Sequence, residues 1–246
     1  HVDALSKNVQ AFCKRWEVPA LHGNKIRSQK GKFGFLKKDK ARREAFFAEL
    51  DQLVLDDRLI AHACVICRPG YRDRYLEKYH DGIRWAMSKT AFDISVERAA
   101  KLAMHGGRQL DVVYERTGKK EDRLLEGYFA DLKVSGLGFC AENSKQYGPL
   151  TSAQFAGHLN VIWPDGKGNP LLQLADLFVH PVSQITCGKR NRAYEQLVDR
   201  EMLLDFKHED DAVGVKYSCY DGEYAKWKNL QKHTRDPKGS PEAVGV

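Results

Sequence analysis

Long apolar runs are missing from this sequence. The longest, Leu171–Val179, is interrupted by Gln173 and Asp176, and a bilayer span needs roughly 20 apolar residues. No N-terminal stretch has the layout of a secretory signal. The first residue is His1 rather than Met, which points to something removed upstream. Cysteine is sparse: Cys13, Cys64, Cys67, Cys140, Cys187 and Cys219 in 246 residues. A chain of this length buries a core without cross-links, so the six are expected as reduced thiols of a cytoplasmic protein. Cys64 and Cys67 form a Cys-x-x-Cys with no second pair. They fall on an expected strand, where residues three apart face opposite sides, so a zinc site is discounted. Also absent are a Gly-Lys-Ser/Thr phosphate loop and a Gly-x-Ser-x-Gly nucleophile elbow, and Gly136-Leu-Gly138 is too short for a dinucleotide fingerprint.

What is present is a globular composition, 42% hydrophobic and 30% charged, with a formal net charge of +7. That charge is concentrated. Lys25, Arg27, Lys30, Lys32, Lys37, Lys38, Lys40, Arg42 and Arg43 share one stretch with a single acid, Asp39. Their sum exceeds the net charge of the whole chain. Such a patch suits a polyanion such as nucleic acid; the alternative is a solvated loop and helix start.

Apolar spacing predicts helices over 4–16, 39–55, 71–85, 89–105, 120–132, 171–180 and 190–205, and strands over 59–67, 110–114 and 158–163. His22–Gly34 reads as a glycine- and lysine-rich connection. Pro181 is expected to break or kink the helix before it. Strand and helix alternate from 59 to 180, which indicates a layered α/β sheet. One domain over 1–230 is expected, followed by a loose polar tail over 231–246.

Two carboxylates stand out by position. Glu115 follows a short apolar strand, and α/β proteins place ligands at the C-terminal ends of strands. The competing reading is a strand-end acid paired with Arg116 or a neighbour. Asp176 shares a narrow helical stripe with Gln173 and His180, on a helix otherwise apolar and so expected to be buried. A buried carboxylate needs a counter-charge or a metal, so Asp176 reads as either a ligand or half of an internal ion pair. His22, beside Gly23 and Lys25, reads as a phosphate-side histidine or an ordinary loop residue.

Three segments together resemble the bacterial domain-of-unknown-function family 3800: Leu21-His-Gly-Asn-Lys-Ile-Arg-Ser, Val113-Tyr-Glu-Arg-Thr-Gly-Lys-Lys-Glu-Asp122 and Leu172-Gln-Leu-Ala-Asp-Leu177. The resemblance covers about residues 1 to 185, and Gln-Leu-Ala-Asp-Leu is its most specific piece. It implies a ribonuclease-H-like fold, a mixed central sheet flanked by helices, and a metal-dependent nuclease. Members normally open with a strand carrying Asp-Glu-Ser-Gly, which this chain lacks, so a gap is expected beside Leu110–Tyr114. Glu115 and Asp176 would then be Mg²⁺ or Mn²⁺ ligands together with the missing acid, since hard cations prefer oxygen donors. His22 would orient water or contact a phosphate. Arg116, Lys25, Arg27 and Lys30 would hold the nucleic-acid backbone. Two other readings stay open: a non-catalytic nucleic-acid- or partner-binding module on a degenerate nuclease fold, and a phosphoryl-group enzyme acting on a small nucleotide.

Overall fold

The structure is a computed structural model that describes residues 1–138, 148–185, 191–206 and 215–220. In chain order the elements are α1 (Val2–Arg15), α2 (Gly23–Ser28), α3 (Phe35–Lys38), α4 (Lys40–Val54), β1 (Ala63–Ile66), α5 (Arg68–Tyr79), α6 (Ile83–His105), β2 (Leu110–Glu115), α7 (Lys119–Ser135), α8 (Ser152–His158), β3 (Leu159–Asp165), α9 (Pro170–Ile185), α10 (Arg192–Asp199) and β4 (Val215–Ser218). The protein is α/β and mostly helical. The expected polar tail lies outside the described residues. None of the described helices is long and apolar enough to cross a membrane.

The expected mixed central sheet is not formed among the described strands. Every pairing is parallel, in two small sheets, β1 with β4 and β2 with β3. Parallel neighbours cannot be joined by tight hairpins, and long helical segments make the crossovers here. Among the described residues β2 pairs with β3 alone. Helices α6 and α9 each pack against both β1 and β2, so the two sheets share the same cover.

The largest core lies under α1, α4 and α9. Phe46 is fully buried and meets Trp16, Phe12, Phe35, Phe47 and Phe33 at centroid distances from 5.2 to 6.0 Å. Offset and edge-on aromatic pairs add about 0.5–1.5 kcal/mol each beyond their burial. Arg42 covers the cluster, its guanidinium 4.6 Å from the Phe35 ring. Leu174 of α9 is buried in this core, with Leu171, Leu177 and Phe178 packed against it.

Several local expectations are corrected. His22–Gly34 is mostly helical rather than a loop: α2 occupies Gly23–Ser28 and a 3-10 turn occupies Gly31–Phe33. The cause is tertiary. Ile26 and Phe33 are buried, and a carboxylate from α9 binds the first N–H of α2. The strand expected over 59–67 is shorter, Ala63–Ile66: its ladder matches the four residues of β4, and Cys67 already caps α5. Pro181 does not end its helix, since α9 runs on to Ile185. Proline removes one N–H, and the turn beyond it is held by Val182, buried against Ala61, Tyr194 and Leu197. Helix α8 was not expected. Its signal was a capping box, in which Thr151 accepts from the Gln154 N–H and the Gln154 side chain accepts from the Thr151 N–H.

Candidate functional site

The site is organised by α9. Asn169 caps its start, accepting from the N–H groups of Leu171 and Leu172 at 2.8 and 3.3 Å. Pro170 occupies the first helical position, where a missing N–H costs nothing. The apolar side of α9 docks on the aromatic core. Gln173 and Asp176, three residues apart, face a cleft of about 640 Å³.

Gln173 ties three segments together. Its Oε1 accepts from the Leu21 N–H at 2.8 Å, and its Nε2 donates to the carbonyl oxygens of Gly168 and Lys167 at 3.2 and 3.4 Å. A buried amide with donors and acceptors both used is a rigid joint. It holds the segment before α2 and the turn after β3 in fixed relation to α9.

Asp176 is not buried as expected; its side chain is 40% exposed. The helix is not buried all round either, since Val179 is 64% exposed. Asp176 Oδ2 accepts from the Gly23 N–H at 2.7 Å and lies 3.1 Å from His22 Nδ1. The carboxylate therefore acts as a long-range cap for α2, contributing negative charge beside its N-terminus. It also holds the His22 ring. His180, the third residue of the sequence stripe, does not join this cleft. It lines a second cavity together with Arg27.

Glu115 is the last residue of β2, in register with Asp165 of β3. Its partner is Lys167 at 3.3 Å, not Arg116. Arg116 is exposed and does not line the cleft; its N–H donates to the Asp165 carbonyl oxygen at 2.8 Å. Asp122 braces the turn after β2 with Oδ1, which accepts from the Thr117 N–H at 3.1 Å. This acid of the Glu-Asp segment is structural.

Glu115, Asp176 and His22 thus line one cleft, and Lys25, Lys30 and Lys32 line it with them. Arg27, like Arg116, does not line this cleft; it belongs to the second cavity. Lys167 is the cleft residue that sequence reasoning missed. Its position, two residues beyond the Asp165 that pairs with Glu115, is visible only once β2 and β3 are in register. Asp165 itself is held below the usual carboxylate range, first by the Asn169 side chain and then by the Gly166 N–H.

Among the described residues no group of three or more His, Cys, Asp or Glu is arranged to hold a metal ion. A closed two-cation cluster therefore does not fit the residues present. Glu115 and Asp176 line the same cleft without forming such a group. The thiols of Cys13, Cys64, Cys67 and Cys219 are free, and Cys140 and Cys187 lie outside the described residues.

These features define an α/β protein with a basic, carboxylate-bearing cleft at the C-terminal end of a parallel strand. Over 226 residues the chain is 56% identical to the uncharacterized protein y4pM of Sinorhizobium fredii (strain NBRC 101917 / NGR234), a match covering 92% of this chain and 83% of that protein. The chain belongs to the same family as y4pM. No family model matches it, and no solved structure matches it.

Proposed function

We propose that this protein is a bacterial, cytoplasmic metal-dependent nuclease of the domain-of-unknown-function family 3800, with a ribonuclease-H-like fold whose sheet takes one further strand beside β2. The observation that carries the reading is that Glu115 and Asp176, far apart in sequence, line one cleft with Lys25, Lys30 and Lys32. Clustered lysines suit a phosphate backbone, and carboxylates among them suit chemistry at a phosphodiester rather than binding alone.

Each residue has a role in this reading. Lys25, Lys30 and Lys32 hold backbone phosphates, with Arg27 and Arg116 reached by flanking nucleotides. Asp176 accepts at His22 Nδ1, so a neutral His22 keeps Nε2 as the proton acceptor. His22 then takes the proton of the attacking water, in the manner of a histidine oriented by a carboxylate. Glu115 and the remaining oxygen of Asp176 would hold Mg²⁺ or Mn²⁺, which supplies charge neutralisation at the phosphate oxygens. Lys167 keeps Glu115 in position until cation and phosphate arrive.

The test uses the full chain with labelled single- and double-stranded DNA and RNA, with Mg²⁺ or with EDTA. Cleavage is expected with the cation only. Asp176→Asn should lower it by on the order of 10²–10⁴-fold, while the fold survives, because the amide oxygen can still accept from the Gly23 N–H. Mg²⁺ should raise the melting temperature of the wild type and raise that of Asp176→Asn much less. One observation favours a second reading, a non-catalytic nucleic-acid-binding module: Asp176 Oδ2 is already engaged by both Gly23 and His22. Tight binding without turnover in any metal would select that reading and end the catalytic one.

A further inference from the structure

A second cavity of about 270 Å³ lies on the far side of α2 from the basic cleft. Its wall is mainly apolar, with Phe47, Leu50, Val54, Leu177 and Phe178 among the lining residues. Such a space is small for a drug-sized ligand and large enough for one planar heterocycle.

The two cavities meet at Gly23. This glycine lines the second cavity, while its N–H binds Asp176, which lines the first. A Cβ at Gly23 would sit 3.1 Å from a guanidinium nitrogen of Arg27 and 3.4 Å from Asp176 Oδ2. Arg27 therefore lies over the junction. Among the described residues Arg27 makes no hydrogen bond or ion pair. Its planar guanidinium can stack on a ring or bind a phosphate.

The polar groups on this rim are few and varied. Asp51 is engaged by Arg192 and Gln196 at 3.1 and 3.2 Å. His180 faces Arg27, and burial followed by that cation lowers its pKa below the ordinary value. A neutral imidazole offers one donor and one acceptor. Among the described residues Gln196 retains its carbonyl oxygen as an acceptor, and Asn191 its amide as a donor. The set matches the edge of a heteroaromatic base better than a second phosphate, which would want more cations.

We infer that this cavity receives one unstacked nucleobase of a strand whose backbone runs through the neighbouring basic cleft, with Arg27 at the point where base and phosphate diverge. This rests on the nucleic-acid reading of that cleft. Enzymes and binding proteins that take a base out of the stack hold it between apolar side chains and hydrogen-bond its edge.

The experiment compares binding of a short single-stranded oligothymidylate with an abasic strand of equal length and charge. It uses the full chain in EDTA, so that no cleavage interferes. The wild type should bind the base-bearing strand roughly ten- to a hundredfold more tightly, the range expected for one sequestered base. Ala193→Trp fills the cavity from an exposed position, so the fold should survive. It should erase the preference and leave abasic binding unchanged. Equal affinities in the wild type, or a preference that survives Ala193→Trp, would overturn the base site and leave the backbone cleft standing. Binding of neither strand would remove both.

Discussion

Around Phe46 five aromatic rings pack against a sixth, and the one cation at the cluster, Arg42, lies over its outer face. Around α6 the buried residues include Asp93, Glu97, Arg98 and Lys101. In the first region burial is an apolar transfer, and its strength grows with area. In the second, each buried charge is a liability that only hydrogen bonds and counter-charges offset. Glu97 accepts from the Leu150 N–H at 2.9 Å, and Lys101 lies 3.8 Å from Glu97 and donates to the Gly148 carbonyl oxygen at 2.8 Å. The aromatic region is therefore a rigid base for α1, α2 and α9, which frame the cleft. The charged region is where pH acts on stability.

The contrast can be broken first at its apolar end. Phe46→Ala should cost about 3–5 kcal/mol, the usual range for deleting a fully buried ring. Denaturant unfolding measures it, and the loss should be the same at pH 5 and pH 8, because the contacts that Phe46 loses are with aromatic rings.

The charged end responds to acid. Burial, and then the Arg98 cation, push His62 down to about 4, and its Nδ1 is buried without a hydrogen-bond partner among the described residues. Between its ordinary value of 6.5 and about 4, the unfolded chain takes up a proton that the folded chain refuses. Stability contributed by a neutral His62 is thus present above pH 6.5 and is lost as pH falls through that window. Asp93 works the other way. Burial raises it to about 6, so its contribution is present at low pH and is lost as pH rises from 3.8 through 6. Melting temperatures between pH 4 and 7 for the wild type and His62→Gln separate the two. The substitution should remove the acid-side loss and leave the opposing trend from Asp93.

A smaller effect sharpens the comparison. Glu97→Ala orphans the Leu150 N–H and should cost about 1–3 kcal/mol. Glu97→Gln keeps an acceptor there and should cost less. Equal losses would mean that the charge, rather than the hydrogen bond, is what α6 requires.

Periodicity read these two regions unequally. The stripe Phe46, Leu50 and Leu53 lies on a helix buried along one side, and there apolar spacing reports the core correctly. Helix α6 packs against β1, β2, α5, α7 and α8, so its charged positions are enclosed as well as its apolar ones. A pattern that assumes one wet face cannot report that. The same limit explains Asp176, expected in a sealed interior and found 40% exposed. Its apolar neighbours Leu174 and Leu177 face the aromatic core while the acid faces the cleft.

Chemistry carried by short segments was determined by the sequence alone. The α/β class, β2 ending at Glu115, the concentration of cations between Lys25 and Arg43, and the singling out of Glu115, Asp176 and His22 all follow from residue type and local spacing, which act within a few residues. What only the tertiary structure decided are the relations between segments distant in the chain. The Gly23 N–H finds a carboxylate from α9, Glu115 pairs with Lys167 rather than Arg116, and Arg27 and His180 leave the cleft for the cavity behind it. Hydrogen bonds and ion pairs reach only about 3–4 Å, so such partners exist only after packing has brought the segments together.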